Sequence, residues 1–142
     1  MKKLLSLLAC GILCFVVTGC SGSKDPDVVC TKDSSNSKEK FSLYVDGDTI
    51  VDATMEVEYE ASSEAEAKMA ASMYEGIFGT LEDESAGTIE ADIERDGNTV
   101  KVELNIDVEA ANKLDTATAG VPTSTSLKEY IETVEAQGYN CN

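Results

Sequence analysis

At 142 residues the chain has room for one compact domain of ordinary size and not for two. Hydrophobic residues make up 42%, but there is no Trp and only 6% is aromatic, so a core must be built from Val, Ile, Leu and Met. A formal net charge of -16 repels nucleic acid and anionic headgroups, which leaves cations or basic protein surfaces as suitable partners, or a simple solubilising role for the acidity.

The first segment, MKKLLSLLACGILCFVVTGC, is a dibasic start followed by an apolar run from Leu4 to Val17. A membrane span needs ~20 apolar residues and a secretory core ~7–15, so this run predicts a signal peptide over residues 1–19. It ends in Val17-Thr18-Gly19-Cys20, the aliphatic-small-small-cysteine pattern of a bacterial lipobox. There the soft Cys20 thiol accepts a diacylglyceryl group and becomes the new N-terminus. Two acyl chains, at ~0.8 kcal/mol per buried methylene, then hold the protein on the bilayer at the extracytoplasmic face of the cell membrane. Both leader lysines precede Cys20 and every acidic residue follows it, so the mature chain carries 9 basic against 27 acidic residues, or -18.

Of the five cysteines, Cys10 and Cys14 go with the leader and Cys20 carries lipid, which leaves Cys30 and Cys141 as one candidate disulfide. A zinc site is the competing use of two thiols, but without His it would need carboxylates as its other ligands. Residues 20–40 are polar, with four Lys balanced by three Asp and one Glu after Cys20, and predict a tether ahead of a single domain over 41–142.

From Phe41 the pattern alternates through Leu43 and Val45. After Asp46-Gly47 a second run places Val51, Ala53, Met55, Val57 and Tyr59 at period two, with Asp52, Glu56 and Glu58 opposite. Such alternation predicts antiparallel strands with one dry face. An Asp46-Gly47 loop leaves Ile50 and Val51 out of phase, which a bulge near 51 reconciles. Ser63-Glu64-Ala65-Glu66 is a capping box that opens a helix ending near Phe78-Gly79. Its row Met69, Met73, Ile77 and Leu81, beside Ala70, Tyr74 and Phe78, predicts a core-facing stripe, with a ligand groove as the alternative.

A two-residue Asp96-Gly97 turn predicts a second hairpin with Ile93 opposite Val100, Ala91 opposite Val102 and Ile89 opposite Leu104. It sets Asp92 against Lys101 and Glu90 against Glu103 on the wet face. A helical turn around Ala110–Leu114 and a loop at Gly120-Val121-Pro122 follow. A last capping box, Ser126-Leu127-Lys128-Glu129, opens a helix with Leu127, Tyr130, Ile131 and Val134 on one face, ended by Gly138. The expected fold is α+β: a four-stranded antiparallel sheet, strand-strand-helix twice over, with both helices packed on one face.

The lipobox, the Gly47-Asp48 turn, the Ala67-Lys68 pair in the middle helix, the Ile106-Asp107 strand end and the closing Gly138-Tyr139 together resemble the YehR-like family of small bacterial lipoproteins. The resemblance implies the architecture and the lipoprotein class, and carries over no catalytic residue. With no His, the Ser-His-Asp, Cys-His and His-metal arrangements are absent, so no catalytic residue, cofactor or metal ligand is assigned. The expected role is non-enzymatic binding at the cell envelope, through lipidated Cys20 on the bilayer and a protein partner of the envelope. The alternative is calcium binding by the acidic surface, best placed at Asp46-Gly47-Asp48 with Asp52, although turn chemistry explains the same residues.

Overall fold

The computed structural model describes residues 25–114 and 126–142; the leader, Cys20 and the Gly120-Val121-Pro122 loop lie outside them. In chain order the elements are β1 (Val28–Asp33), β2 (Ser37–Asp46), β3 (Thr49–Glu60), α1 (Glu64–Glu84), β4 (Ile89–Asp96), β5 (Thr99–Asp107), α2 (Val108–Leu114), α3 (Leu127–Ala136) and β6 (Asn140–Cys141). The strands form one sheet in the order β4-β5-β3-β2-β1-β6, with every pairing antiparallel.

The domain is α+β as expected, but its sheet has six strands rather than four. The two additions flank the predicted hairpins. β1 lies inside the segment expected to be a tether, and β6 is only two residues long. Neither has the alternating apolar pattern of a half-buried strand. β1 is fixed by pairing along β2, with Ser34 N–H donating to the Ser37 carbonyl at 2.7 Å in the connecting turn. β6 is fixed by Cys30, which lies opposite Cys141 and is bonded to it.

Both predicted turns fall one residue later than expected, and for one reason. Gly47 and Gly97 have φ of 64° and 58°, while Asp48 and Asn98 do not have positive φ. Glycine therefore takes the first loop position, as in a type II′ hairpin, and the loops are Gly47-Asp48 and Gly97-Asn98. In the first hairpin Asp46 pairs with Thr49 and Val45 with Ile50, and the register shifts beyond Tyr44, leaving Val51 as the extra residue of the bulge anticipated there. In the second, Ile93 pairs with Val102, Ala91 with Leu104 and Ile89 with Ile106. That is two residues from the predicted register. Since a shift of two preserves the face, the apolar residues still point the same way, but Asp92 now faces Glu103 and Glu94 faces Lys101.

The dry face carries the core in two clusters. Leu43, Ile50, Ala53, Ile89, Ile106 and Val108 pack with Tyr130 and Val134 of α3, while Val100, Val102 and Leu104 pack with Ala67 and Ala71 of α1. The small buried alanines bring α1 close to the sheet. This helix does not stop at Gly79 but runs on to Glu84, because Phe78 and Leu81 on either side of the glycine both reach the core. That packing offsets the roughly 1 kcal/mol a helical glycine costs. Its true end is Ser85-Ala86-Gly87, with φ of 55° at Ala86 and 83° at Gly87. Buried Ser85 donates its hydroxyl to the Glu82 carbonyl and accepts the Ile89 N–H.

Candidate functional site

The predicted stripe on α1 is where sequence and structure part most sharply. Leu81 is packed, but Met69 is 71% exposed and Met73 and Ile77 are each 54% exposed. Successive i+4 residues turn by about 40° around a helix of 3.6 residues per turn, so a row of four drifts off any single face. The core side instead alternates steps of three and four through Ala67, Ala71, Tyr74, Phe78, Leu81 and Ser85. Met69, Met73 and Ile77 occupy the neighbouring flank.

Glu66 and Ala70 share that flank, at three- and four-residue steps from Met69, Met73 and Ile77. Ala70 packs in the cluster containing Met55, Val57 and Tyr59 of β3, and Glu66 accepts the Tyr59 hydroxyl at 2.7 Å. The exposed residues therefore lie on the flank of α1 that meets β3 through Glu66 and Tyr59, while Met55 and Val57 of β3 are half-buried on the dry face. Beyond them on β2, Phe41 meets Tyr139 edge to face at 5.4 Å. Tyr139 in turn donates its hydroxyl to Glu39 and lies under the Lys32 ammonium, 5.3 Å from the ring centroid. An apolar strip thus runs across the dry face between α1 and the Tyr139 corner, floored by β3.

Glu66 fixes the upper end of the strip. The Ser62 hydroxyl, the Tyr59 hydroxyl and the Ser62 N–H all donate to its carboxylate, which holds its pKa below the ordinary value. The Ser63 cap accepts the Glu66 N–H at 3.2 Å, so one residue ties the helix start to β3. Sequence spacing identified the capping box but not the reach of Glu66 to Tyr59, which depends on where β3 lies.

The wet face is charged and self-paired. Lys40 and Glu56 are 2.5 Å apart, and Glu58 sits 3.9 Å from both Lys38 and Lys101. These residues line an open depression of about 310 Å³. Near one end, Asp52 lies directly opposite Asp107, and partial burial, then Asp107, then Glu109 raise its pKa. Asp46 precedes the exposed first turn and Asp48 lies within it. Among the described residues no group of three or more His, Cys, Asp or Glu side chains is placed to hold a metal ion.

Cys30 and Cys141 form a disulfide across adjacent strands, 111 residues apart in sequence, with Cys30 fully buried. Cys20 lies outside the described residues. Among the described helices none is long and apolar enough to cross a membrane.

These features define a disulfide-stapled α+β domain with helices packed on one face of a six-stranded antiparallel sheet. No protein-family model matches the chain, and no curated protein does. Among solved structures, the NMR structure of the Escherichia coli YehR protein is similar, with a TM-score of 0.61 over 85% of this chain and 93% of that one at 12% identity. At that identity the likeness is one of fold. An NMR structure of a protein from Streptococcus pneumoniae TIGR4 aligns with 100% of this chain and 96% of its own, at 12% identity and a TM-score of 0.46.

Proposed function

We propose that the protein is a lipid-anchored, extracytoplasmic binding domain without catalytic activity, held on the membrane by acylated Cys20 and engaging another molecule of the envelope. The anchor rests on Val17-Thr18-Gly19-Cys20. The observation that carries the binding role is the exposed flank of α1. Among the described residues the exposed large hydrophobics are Met69, Met73 and Ile77, all on that one flank of an otherwise charged domain. Scattered apolar side chains need no explanation, but three at helical spacing on one flank, beside half-buried Met55 and Val57 on the same face of the sheet, favour an interaction surface.

Two measurements test this. Growth with a clickable palmitate analogue labels the wild-type protein and leaves Cys20→Ser unlabelled; label on the variant removes the anchor. A photo-crosslinking amino acid at Ile77 captures an envelope molecule in living cells, while the same probe at Glu75, on another face of α1, does not. Equal capture from both positions, or none from 77, removes the binding role.

A further inference from the structure

We infer that the strip between α1 and the Tyr139 corner receives a cationic amphipathic helix, a partner that offers leucine-like side chains on one face and lysine or arginine beside them. This inference rests on the binding role proposed above and names its occupant.

The apolar part of the match is the flank itself. Two of its three exposed side chains are methionines, and a third methionine, Met55, lies in the floor. Unbranched thioether side chains adapt to an incoming apolar face, which suits docking of a helix better than recognition of one rigid ligand.

The electrostatic part comes from what brackets the flank. At the same three- and four-residue steps, the row that contains Met69, Met73 and Ile77 begins at Glu66 and ends at Glu84, with Thr80 between. No basic residue falls in that row. Glu66 and Glu84 are eighteen residues apart, about 27 Å at 1.5 Å per residue, the length of a helix of about five turns. The rest of α1 adds Glu64, Glu75, Glu82 and Asp83 against a single Lys68. At the far wall, Lys32 is already engaged over the Tyr139 ring. α3 contributes Glu129, Glu132 and Glu135 against Lys128.

This field selects among occupants. A second copy brings the same acidic helix to the contact, and an anionic bilayer brings phosphates; both oppose the charge of the chain. A cationic helix is attracted by it, and its apolar face covers the methionines.

The methionines also supply the readout. The chain has only four, Met1, Met55, Met69 and Met73, so methyl-labelled methionine gives a site-resolved NMR spectrum of the full protein in phosphatidylcholine nanodiscs. The probe is an 18-residue Leu/Lys peptide with leucines at helical spacing, compared with a Leu/Glu peptide of the same pattern and with empty nanodiscs.

The expected result is saturable shifts of the Met55, Met69 and Met73 methyls with the Leu/Lys peptide, and at least tenfold weaker binding of the Leu/Glu peptide. Replacing Met73 and Ile77 together by Gln weakens Leu/Lys binding at least tenfold while leaving the melting temperature near that of the wild type, because both side chains are already exposed. Equal affinity for the two peptides overturns the cationic specificity while leaving the binding role intact. Shifts that follow protein concentration assign the strip to a second copy, and shifts only in phosphatidylglycerol nanodiscs assign it to the membrane. Peptide binding that appears only after residues 115–125 are replaced by a Gly-Ser linker assigns it to the chain's own segment. Each of those three results overturns the inference. Unmoved methyls under all conditions overturn it too, and if Ile77 also captures nothing in cells, the binding role falls with it.

Discussion

Reducing the Cys30–Cys141 disulfide isolates how much of this fold depends on its covalent closure. The bridge joins residues 111 apart. On the chain-entropy model a loop of that size restricts the unfolded chain by about 5 kcal/mol, an upper value because native strain subtracts from it. A domain of this size is stable by only about 5–15 kcal/mol, so the effect is a large share of the whole. Cys30 is fully buried and stays so as a thiol, so reduction leaves the packing around it in place. Urea unfolding of the full chain, oxidised and reduced, measures the difference. With a slope of about 2 kcal/mol/M, a loss of about 3–5 kcal/mol moves the midpoint down by about 2 M, and the slope rises because the open unfolded chain exposes more surface. The Cys30→Ala/Cys141→Ala variant should track the reduced protein, apart from the small change of volume at Cys30. In hydrogen exchange, the amides of β6 and α3 should lose protection first, since β6 contributes only two residues to the sheet. A midpoint change below about 0.5 M would refute this reasoning and show that Tyr130, Val134 and Tyr139 hold the C-terminal segment by packing alone.

Leu43→Ala empties a fully buried position in the sheet centre and should cost about 2–5 kcal/mol in urea unfolding, whereas Met69→Ala, on the exposed flank, should change stability by under about 0.5 kcal/mol. Ser126→Ala removes the hydroxyl that accepts the Glu129 N–H at the start of α3, with an expected loss of about 1 kcal/mol in the same assay. Asp52 has a raised pKa in the fold, so its ionisation opposes folding; Asp52→Asn should raise the melting temperature near pH 7, and calorimetry near pH 3, where both states are protonated, should show the gain shrink away. The Tyr139 phenol is pushed above its ordinary range by burial and then by Glu39, so the stability it contributes is complete below about pH 10 and is lost as pH rises further. Tyr139→Phe should flatten that alkaline decline, and an unchanged slope would mean the phenol is not protected.

What was legible in the sequence is what depends on near neighbours. The capping residues Ser63 and Ser126, the alternation from Phe41 to Tyr59 and the dry-face residues of β4 and β5 all follow from local spacing. Asp-Gly spacing puts both turns one residue early, because Asp-Gly is the commoner loop pair, whereas here each glycine opens the loop. β1 and β6 were illegible for a different reason: their partners are distant, and β6 has no pattern of its own in two residues. The cysteine count did signal that contact, yet it could not say that the bridge lies within a sheet. For the α1 stripe, hydrophobicity marked the right residues, but only the position of β3 shows which of them the sheet covers.

The closure between β1 and β6 also governs how the domain bears load. Tension applied between the two chain ends passes along β1 only as far as Cys30, crosses one covalent bond, and leaves through Cys141. The 110 residues between them are outside that path. Pulling on the termini cannot unravel them unless the bond is cut, whereas a tug between the N-terminus and anything gripping α1 must travel through the sheet.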